Sequence, residues 1–236
     1  MPIVRTLNHD FFKTWTSKMA YVLGYFAADG AMIRNSRGAH FIEFHSIDKI
    51  LITKVRGALK SSHHIGVRVP AKNKPNHKIA YRLQIGSVEI YNDLLTLGMS
   101  PRKSLTLQMP EVPQKCIGHF VRGYFDGDGN IYFKKHVVKD RKNPRYVFAT
   151  RFTCGSRAFL AALLLALKKH GCRRGFILEK HHTAYELIFS HNDSVALYSI
   201  MYNNIADSDI YLGRKYKLFT HALETLYGKC GSSSAS

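Results

Sequence analysis

Residues 119–130 read HFVRGYFDGDGN, a stretch that begins like a helix, turns glycine-rich and sets two aspartates among three glycines. It has a partner at residues 20–32, AYVLGYFAADGAM. Aligned, Gly24, Tyr25, Phe26, Asp29 and Gly30 match Gly123, Tyr124, Phe125, Asp128 and Gly129. Downstream, further features recur in the same order. FIEFHS ends at Ser46 and FTCGS at Ser156. DKILITKVRGAL and RAFLAALLLALKKH follow, both with helical apolar spacing. IAYRLQIGS then answers TAYELIFSH, with Tyr81, Leu83 and Ile85 alternating as Tyr185, Leu187 and Phe189 do, which is a strand pattern. Each series closes on an arginine-lysine pair, Arg102 and Lys103 or Arg214 and Lys215. An ordered series of this kind points to duplication.

The duplication divides the chain into an N-terminal half, residues 1–107, a linker at 108–114 where Pro110 and Pro113 interrupt regular structure, and a C-terminal half, 115–228. The closing residues 229–236 predict a flexible tail. Each half reads as helix, two strands, helix, two strands, helix. The expected class is α+β, two pseudo-symmetric αββαββα halves, each with an antiparallel sheet carrying helices on one face. Half two is longer through KKHVVKDRKNPRY, residues 134–146, which predicts a longer basic hairpin.

Charge and composition limit the function. The 236 residues are 45% apolar and 12% aromatic, enough for one large core or two of roughly 100 residues each. The 35 Lys and Arg against 16 Asp and Glu give +19, a field that favours a polyanionic partner through counterion release. No apolar run approaches the roughly 20 residues of a membrane span, and MPIVRTLNHDFFK has no signal-peptide core. A soluble intracellular protein is expected. Cys116, Cys154, Cys172 and Cys230 lack C-x-x-C spacing, so neither a zinc knuckle nor a disulfide framework is indicated. The doublets His63–His64 and His181–His182 are poor chelates, because neighbours on an extended chain point to opposite faces; DNA contact or solvent exposure is expected for them. Trp15 is expected to pack at the start of the first motif helix.

The repeated motif itself suggests chemistry. Gly24 and Ala28 share one helix face, as do Gly123 and Gly127, leaving a stripe that lets two helix backbones approach closely. Helices packed about a pseudo-twofold bring Asp29 and Asp128 together at their ends, where helix dipoles are negative. Two carboxylates there call for a cation, and hard oxygen donors suit Mg²⁺. An EF-hand reading of DGDGNIYFKKHV fails, because Ile131 stands where that loop needs glycine and Val137 where it needs glutamate.

VLGYFAADG and VRGYFDGDG resemble the two motif copies of single-chain LAGLIDADG homing endonucleases, and the resemblance extends through LGMSPRKSLTLQMP and YLGRKYKLF. Ala27 and Ala28 depart from the usual acidic and small pair, and Arg122 stands where the motif usually has alanine; neither departure touches Asp29 or Asp128. The resemblance implies motif helices at the centre of a saddle of sheets, with duplex DNA across it, cut on both strands across the minor groove to leave 3′ overhangs. It implies a monomer acting in intron homing at a long asymmetric target, with Mg²⁺ as cofactor, Mn²⁺ able to substitute and Ca²⁺ supporting binding without cleavage. Asp29 and Asp128 are the expected metal ligands and catalytic acids, with the main-chain carbonyls of Ala28 and Gly127. Lys103 and Lys215 look like the family's active-site lysines, and Ser46 and Ser156 fall near its peripheral polar groups.

For DNA contact, KIAYRLQI puts Ile79, Tyr81, Leu83 and Ile85 toward the core and leaves Lys78, Arg82 and Gln84 on the open side. Arg34, Arg68, Lys72 and Lys74 join them in half one; Lys134, Lys135, Arg145, Arg151, Arg174 and Lys180 are the candidates in half two. Arginine and glutamine in a groove read guanine and adenine edges, and lysines mainly hold phosphates. The alternative function is a non-cleaving nucleic-acid binder on this scaffold, an intron RNA maturase or a transcriptional regulator. Loss of a motif acid would favour it, and both acids are present.

Overall fold

The computed structural model describes residues 5–70, 78–137, 145–180, 184–203, 205–206 and 208–228. Half one runs α1 (Ser17–Asp29), β1 (Gly30–Arg34), β2 (His40–Ser46), α2 (Lys49–Ala58), β3 (Ile65–Arg68), β4 (Ala80–Gly86) and α3 (Val88–Thr96). Half two runs α4 (Ile117–Asp128), β5 (Gly129–His136), β6 (Arg145–Cys154), α5 (Arg157–Lys169), β7 (Phe176–Lys180), β8 (Ala184–Ser190) and α6 (His191–Tyr202), and adds α7 (Gly213–Tyr227). The αββαββα order therefore holds for half one, while half two ends in one more helix. YLGRKYKLF, read only as a basic motif, is the start of that helix. Its apolar face packs on β5 and sets Phe219 against the rings of Phe125 and Phe148.

Both sheets are antiparallel with the same order, β1-β2-β4-β3 and β5-β6-β8-β7. The hairpin β5–β6 is longer than β1–β2, with strands of 8 and 10 residues against 5 and 7, as its sequence predicts. Alternation sends Ile42, Phe44, Leu83 and Ile85 into the core of half one, and Phe148, Phe152, Leu187 and Phe189 into that of half two. Tyr81 is half-buried, but Ile79 precedes β4 and is exposed, so the expected core face begins one alternation later than the sequence suggests.

The motif helices α1 and α4 pack against each other along their glycine stripes. A methyl on Gly24 would overlap the carbonyl oxygen of Phe120, and one on Gly123 that of Tyr21. The contact is reciprocal, main chain on main chain, and it places the pseudo-twofold between these two glycines. Each helix passes into its strand with no intervening residue: Gly30 and Gly129 share φ −90° and ψ 154°. This is ordinary extended backbone, so glycine is required there for space. A Cβ would run into the ring of Phe26 or Phe125.

Local capping accounts for several residues that carried other expectations. Ser156 caps α5 by accepting from Phe159 N at 3.2 Å, and Ser46 accepts from Asp48 N at 2.9 Å just before α2. Their hydroxyls are thus engaged in helix starts. His63 is buried against Ser61, at 2.9 Å from its Oγ, while His64 is exposed. The first histidine is therefore a packed, hydrogen-bonded side chain and not a contact for a partner. Trp15 is half-buried and packs on the core just before α1. Cys116, Cys154 and Cys172 are buried free thiols. His181, His182, Cys230 and the tail lie outside the described residues. No helix among the described residues is long and apolar enough to cross a membrane.

Candidate functional site

Asp29 and Asp128 are the last residues of α1 and α4, and the close helix packing brings them to one place. A methyl on Gly127 would lie 3.1 Å from Asp29 Oδ2, so the Asp29 carboxylate reaches over the backbone of the other motif helix. Burial, and then the neighbouring Asp128, pushes Asp29 up to about 6; burial raises Asp128 as well. Among the described residues neither carboxylate has an ion pair or a side-chain hydrogen bond.

Two buried lysines flank the acids. Lys103, on a 3-10 turn spanning Lys103–Leu105, donates to the Gly30 carbonyl and sits 5.2 Å from the Phe26 ring centroid. Lys215, in the first turn of α7, donates to the carbonyls of Phe125 (2.6 Å), Asp126 (2.9 Å) and Gly127 (3.4 Å), and lies 5.2 Å from the Phe125 ring centroid. Burial lowers both amines to about 8, while the nearby carboxylates pull the other way. The carbonyl of Gly127, expected at a cation, is thus also within reach of Lys215.

Asp126 has a different task from Asp128, two residues on. It is buried and accepts from Tyr21 Oη at 2.7 Å and from the Leu212 N–H at 2.7 Å, so it holds the entry to α7. Arg122, which stands where the motif usually has alanine, is buried and donates to the carbonyls of Ile210 (3.1 Å) and Met201 (2.7 Å), with Asp209 at 3.6 Å. Both tie α4 to the segment between α6 and α7.

The sheet faces turned away from the core carry six of the ten predicted basic residues that the structure describes. By strand register Arg68, Arg82 and Gln84 share the open face of half one, and Lys134, Arg145, Arg151 and Lys180 that of half two. Arg34 pairs with His40 and Lys135 with Tyr146, which turns both to the helix-bearing side at the exposed strand ends. The two-residue period that exposes Lys134 takes Lys135 to the other face. Lys78 and Arg174 are exposed outside the strands, and the Arg174 N–H is held by Asp193 at 3.0 Å. Lys72 and Lys74 lie outside the described residues.

Residues 16–97 match the family model of the LAGLIDADG-like domain. The fold as a whole superposes on I-SmaMI bound to an uncleaved DNA target in the presence of calcium ions, with a TM-score of 0.58 at 11% identity over 90% of this chain and 92% of that one. The chain has the two-copy LAGLIDADG fold. I-LtrWI bound to target DNA gives 0.59 at 11% identity, covering 94% of this chain and 92% of that one. Mesophilic variants of the homing endonuclease I-DmoI give 0.54 at 16%, covering 80% and 98%. No curated protein sequence matches the chain.

The acids on the open faces are the residues that the sequence did not disclose. Glu43 accepts from Gln84 Nε2 at 2.6 Å and contacts His45 Nε2 at 2.9 Å; Glu186 pairs with Lys180 at 2.9 Å. Both alternate with core residues along their strands, which was the one signal available. Among the described residues no three histidine, cysteine or carboxylate side chains gather as a metal cluster. A cation between Asp29 and Asp128 would have two carboxylates and main-chain oxygens for ligands, with other positions open. The carboxylates fit that role: they are desolvated, Asp128 raises Asp29 further, and although Lys103 and Lys215 partly offset their charge, neither acid has a direct ion pair or side-chain hydrogen bond among the described residues.

Proposed function

We propose that this chain is a site-specific endonuclease for double-stranded DNA, acting as a monomer on a long asymmetric target laid across the two open sheet faces. The observation that carries the reading is the meeting of two unpartnered carboxylates at two apposed, negative helix ends, beneath basic sheets. Asp29 and Asp128, with the carbonyls of Ala28 and Gly127, would hold a divalent cation, Mg²⁺ or Mn²⁺, with Ca²⁺ supporting binding alone. Such an ion acidifies bound water and offsets charge on a scissile phosphate. Lys103 uses one of its three N–H donors on Gly30, leaving two for a phosphate oxygen or an ordered water. With an amine lowered to about 8, a deprotonated fraction grows through mildly alkaline pH and can take a proton from that water at Nζ. Lys215 spends its donors on the end of α4 and fixes where that helix stops. The buried walls of Phe26 and Phe125 exclude bulk water from both amines.

The deciding experiment is cleavage of a randomised duplex library in Mg²⁺ and in Ca²⁺ by wild type, Asp29→Asn and Asp128→Asn. Selected double-strand cuts with 3′ overhangs in Mg²⁺ are expected, falling more than about 1000-fold in either variant while duplex binding persists in Ca²⁺. Binding without cutting by wild type in every cation would overturn the nuclease reading in favour of a maturase or regulator.

A further inference from the structure

The open faces of the two halves carry the same ion pair with its charges exchanged. Gly30 pairs with Phe44 and Gly129 with Phe152, so Glu43 and Arg151, the next residues inward on β2 and β6, are equivalent. Phe44 pairs with Leu83 and Phe152 with Leu187, so Arg82 on β4 and Glu186 on β8 are equivalent. Each pair lies on the diagonal between central strands, Arg82 Nη1 to Glu43 Oε1 at 3.4 Å and Arg151 Nη1 to Glu186 Oε2 at 3.6 Å.

In both pairs the acid is the buried member and the arginine the exposed one: side chains are 7% against 51% exposed in half one and 12% against 34% in half two. Each acid has a further partner on the same face, Gln84 and His45 for Glu43 and Lys180 for Glu186. Among the described residues Arg151 Nε is buried without a hydrogen bond, and Nη1 meets Glu186 only as a 3.6 Å ion pair, so the terminal nitrogens of that guanidinium keep their donors for a ligand. A carboxylate that tethers a guanidinium removes rotamer freedom before a ligand arrives, and the fork that remains matches guanine O6 and N7. The exchange puts the exposed arginine on β4 in one half and on β6, the counterpart of β2, in the other. Adjacent strands lie about 4.8 Å apart, more than the roughly 3.4 Å between successive bases of one strand.

We propose that Arg82 and Arg151 are specificity-determining residues, each held by its buried acid to read one guanine in its own half-site, and that the exchanged pairs displace these guanines by about one base pair from symmetric positions. The inference rests on the DNA-binding reading above and says where the asymmetry of the target originates. The surroundings differ in the same sense: Gln84 is replaced by Ile188, which pairs with the exposed Phe176 and gives half two an apolar surface beside its arginine.

The test sequences duplexes retained from a randomised library in Ca²⁺ by the full chain, so that no cleavage is required. Wild type should enrich an asymmetric site with one guanine in each half out of symmetric register. Arg82→Ala and Arg151→Ala should each relax one of these positions, in opposite half-sites, by about 10-fold or more, with the rest of the profile unchanged. Arg82→Lys and Arg151→Lys keep the charge and should relax the same positions while keeping the salt dependence of binding. The exchange Glu43→Arg with Arg82→Glu preserves the pair and should move one guanine by one base pair, making the half-sites symmetric there. Uniform weakening across all sequences would make the arginines phosphate contacts and overturn the inference, as would an exchange variant that leaves the guanine in place. Failure of folded wild type to enrich any duplex would overturn the DNA-binding reading itself, and this one with it.

Discussion

Half one brings Lys103 to its acid on a three-residue 3-10 turn, whereas half two brings Lys215 on the first turn of a 15-residue helix. The turn is entered through Arg102 in left-handed backbone, φ 57° and ψ 31°, which a non-glycine residue adopts at a cost. The helix is entered through Leu212 in extended backbone, its N–H held by Asp126. Ala27 occupies the place of Asp126 in half one and can supply no such anchor. Lys103 keeps donors free, while all three of those on Lys215 meet helix-end carbonyls. Duplication has therefore preserved the position of the amine and let its support diverge. The strained turn carries an amine with donors to spare, and the anchored helix carries one that also finishes a helix.

The strongest test of this comparison uses the feature both halves share. Gly24→Val and Gly123→Val should each lower unfolding free energy by more than about 3 kcal/mol, because the obstacle is the main chain of the facing helix and cannot move aside. Denaturant melts of the two variants should agree within error; a much milder effect at one position would show that the helix contact is not reciprocal.

The lysines should separate the halves. Lys215→Met strips three carbonyls of their donor and should lower stability by about 1 kcal/mol or more, whereas Lys103→Met loses one contact, relieves a buried charge and should leave stability unchanged or raised. Both amines titrate near 8 in the fold and near 10.5 when unfolded. The unfolded chain therefore binds more protons between those values, so the unfavourable contribution is complete below pH 8 and fades as pH rises toward 10.5. Melts across that window should show stability gaining from this source with pH, and the double Met variant should lose that gain. An unchanged slope in the double variant would contradict burial as the cause.

The smallest expected effect lies at the turn. Arg102→Gly should raise stability by up to about 1 kcal/mol, while Arg214→Gly, inside a helix, should lower it by about as much. Effects of the same sign at both positions would remove the distinction between the two routes.

Much of this was legible in the sequence because the duplication printed it twice. The motif helices, the sheets and the meeting of Asp29 with Asp128 follow from repeated residues at repeated spacing. What was missed involves partners that no repeat displays. Arg122 reads as a departure from a motif, and only the packing of α4 against the α6–α7 segment shows why an arginine can be buried there. Glu43 and Glu186 look like polar positions in alternating strands; their arginines sit on other strands, and register alone joins them. Arg34 and Lys135 lie on the other face for the same reason, since charge says nothing of which side a strand residue occupies.

The glycine-to-carbonyl seat between α1 and α4 has one more consequence. Its innermost contacts are made of main-chain atoms on both sides, and every polypeptide has the same main chain. The coupling therefore demands one glycine on each helix and asks nothing of the sheets, so each half is free to drift in the sequence that its open face displays. A half grafted from another two-copy chain would find a familiar socket at that centre. The joint behaves as a standard fitting, and recombination of halves becomes a short path to a new pair of open faces.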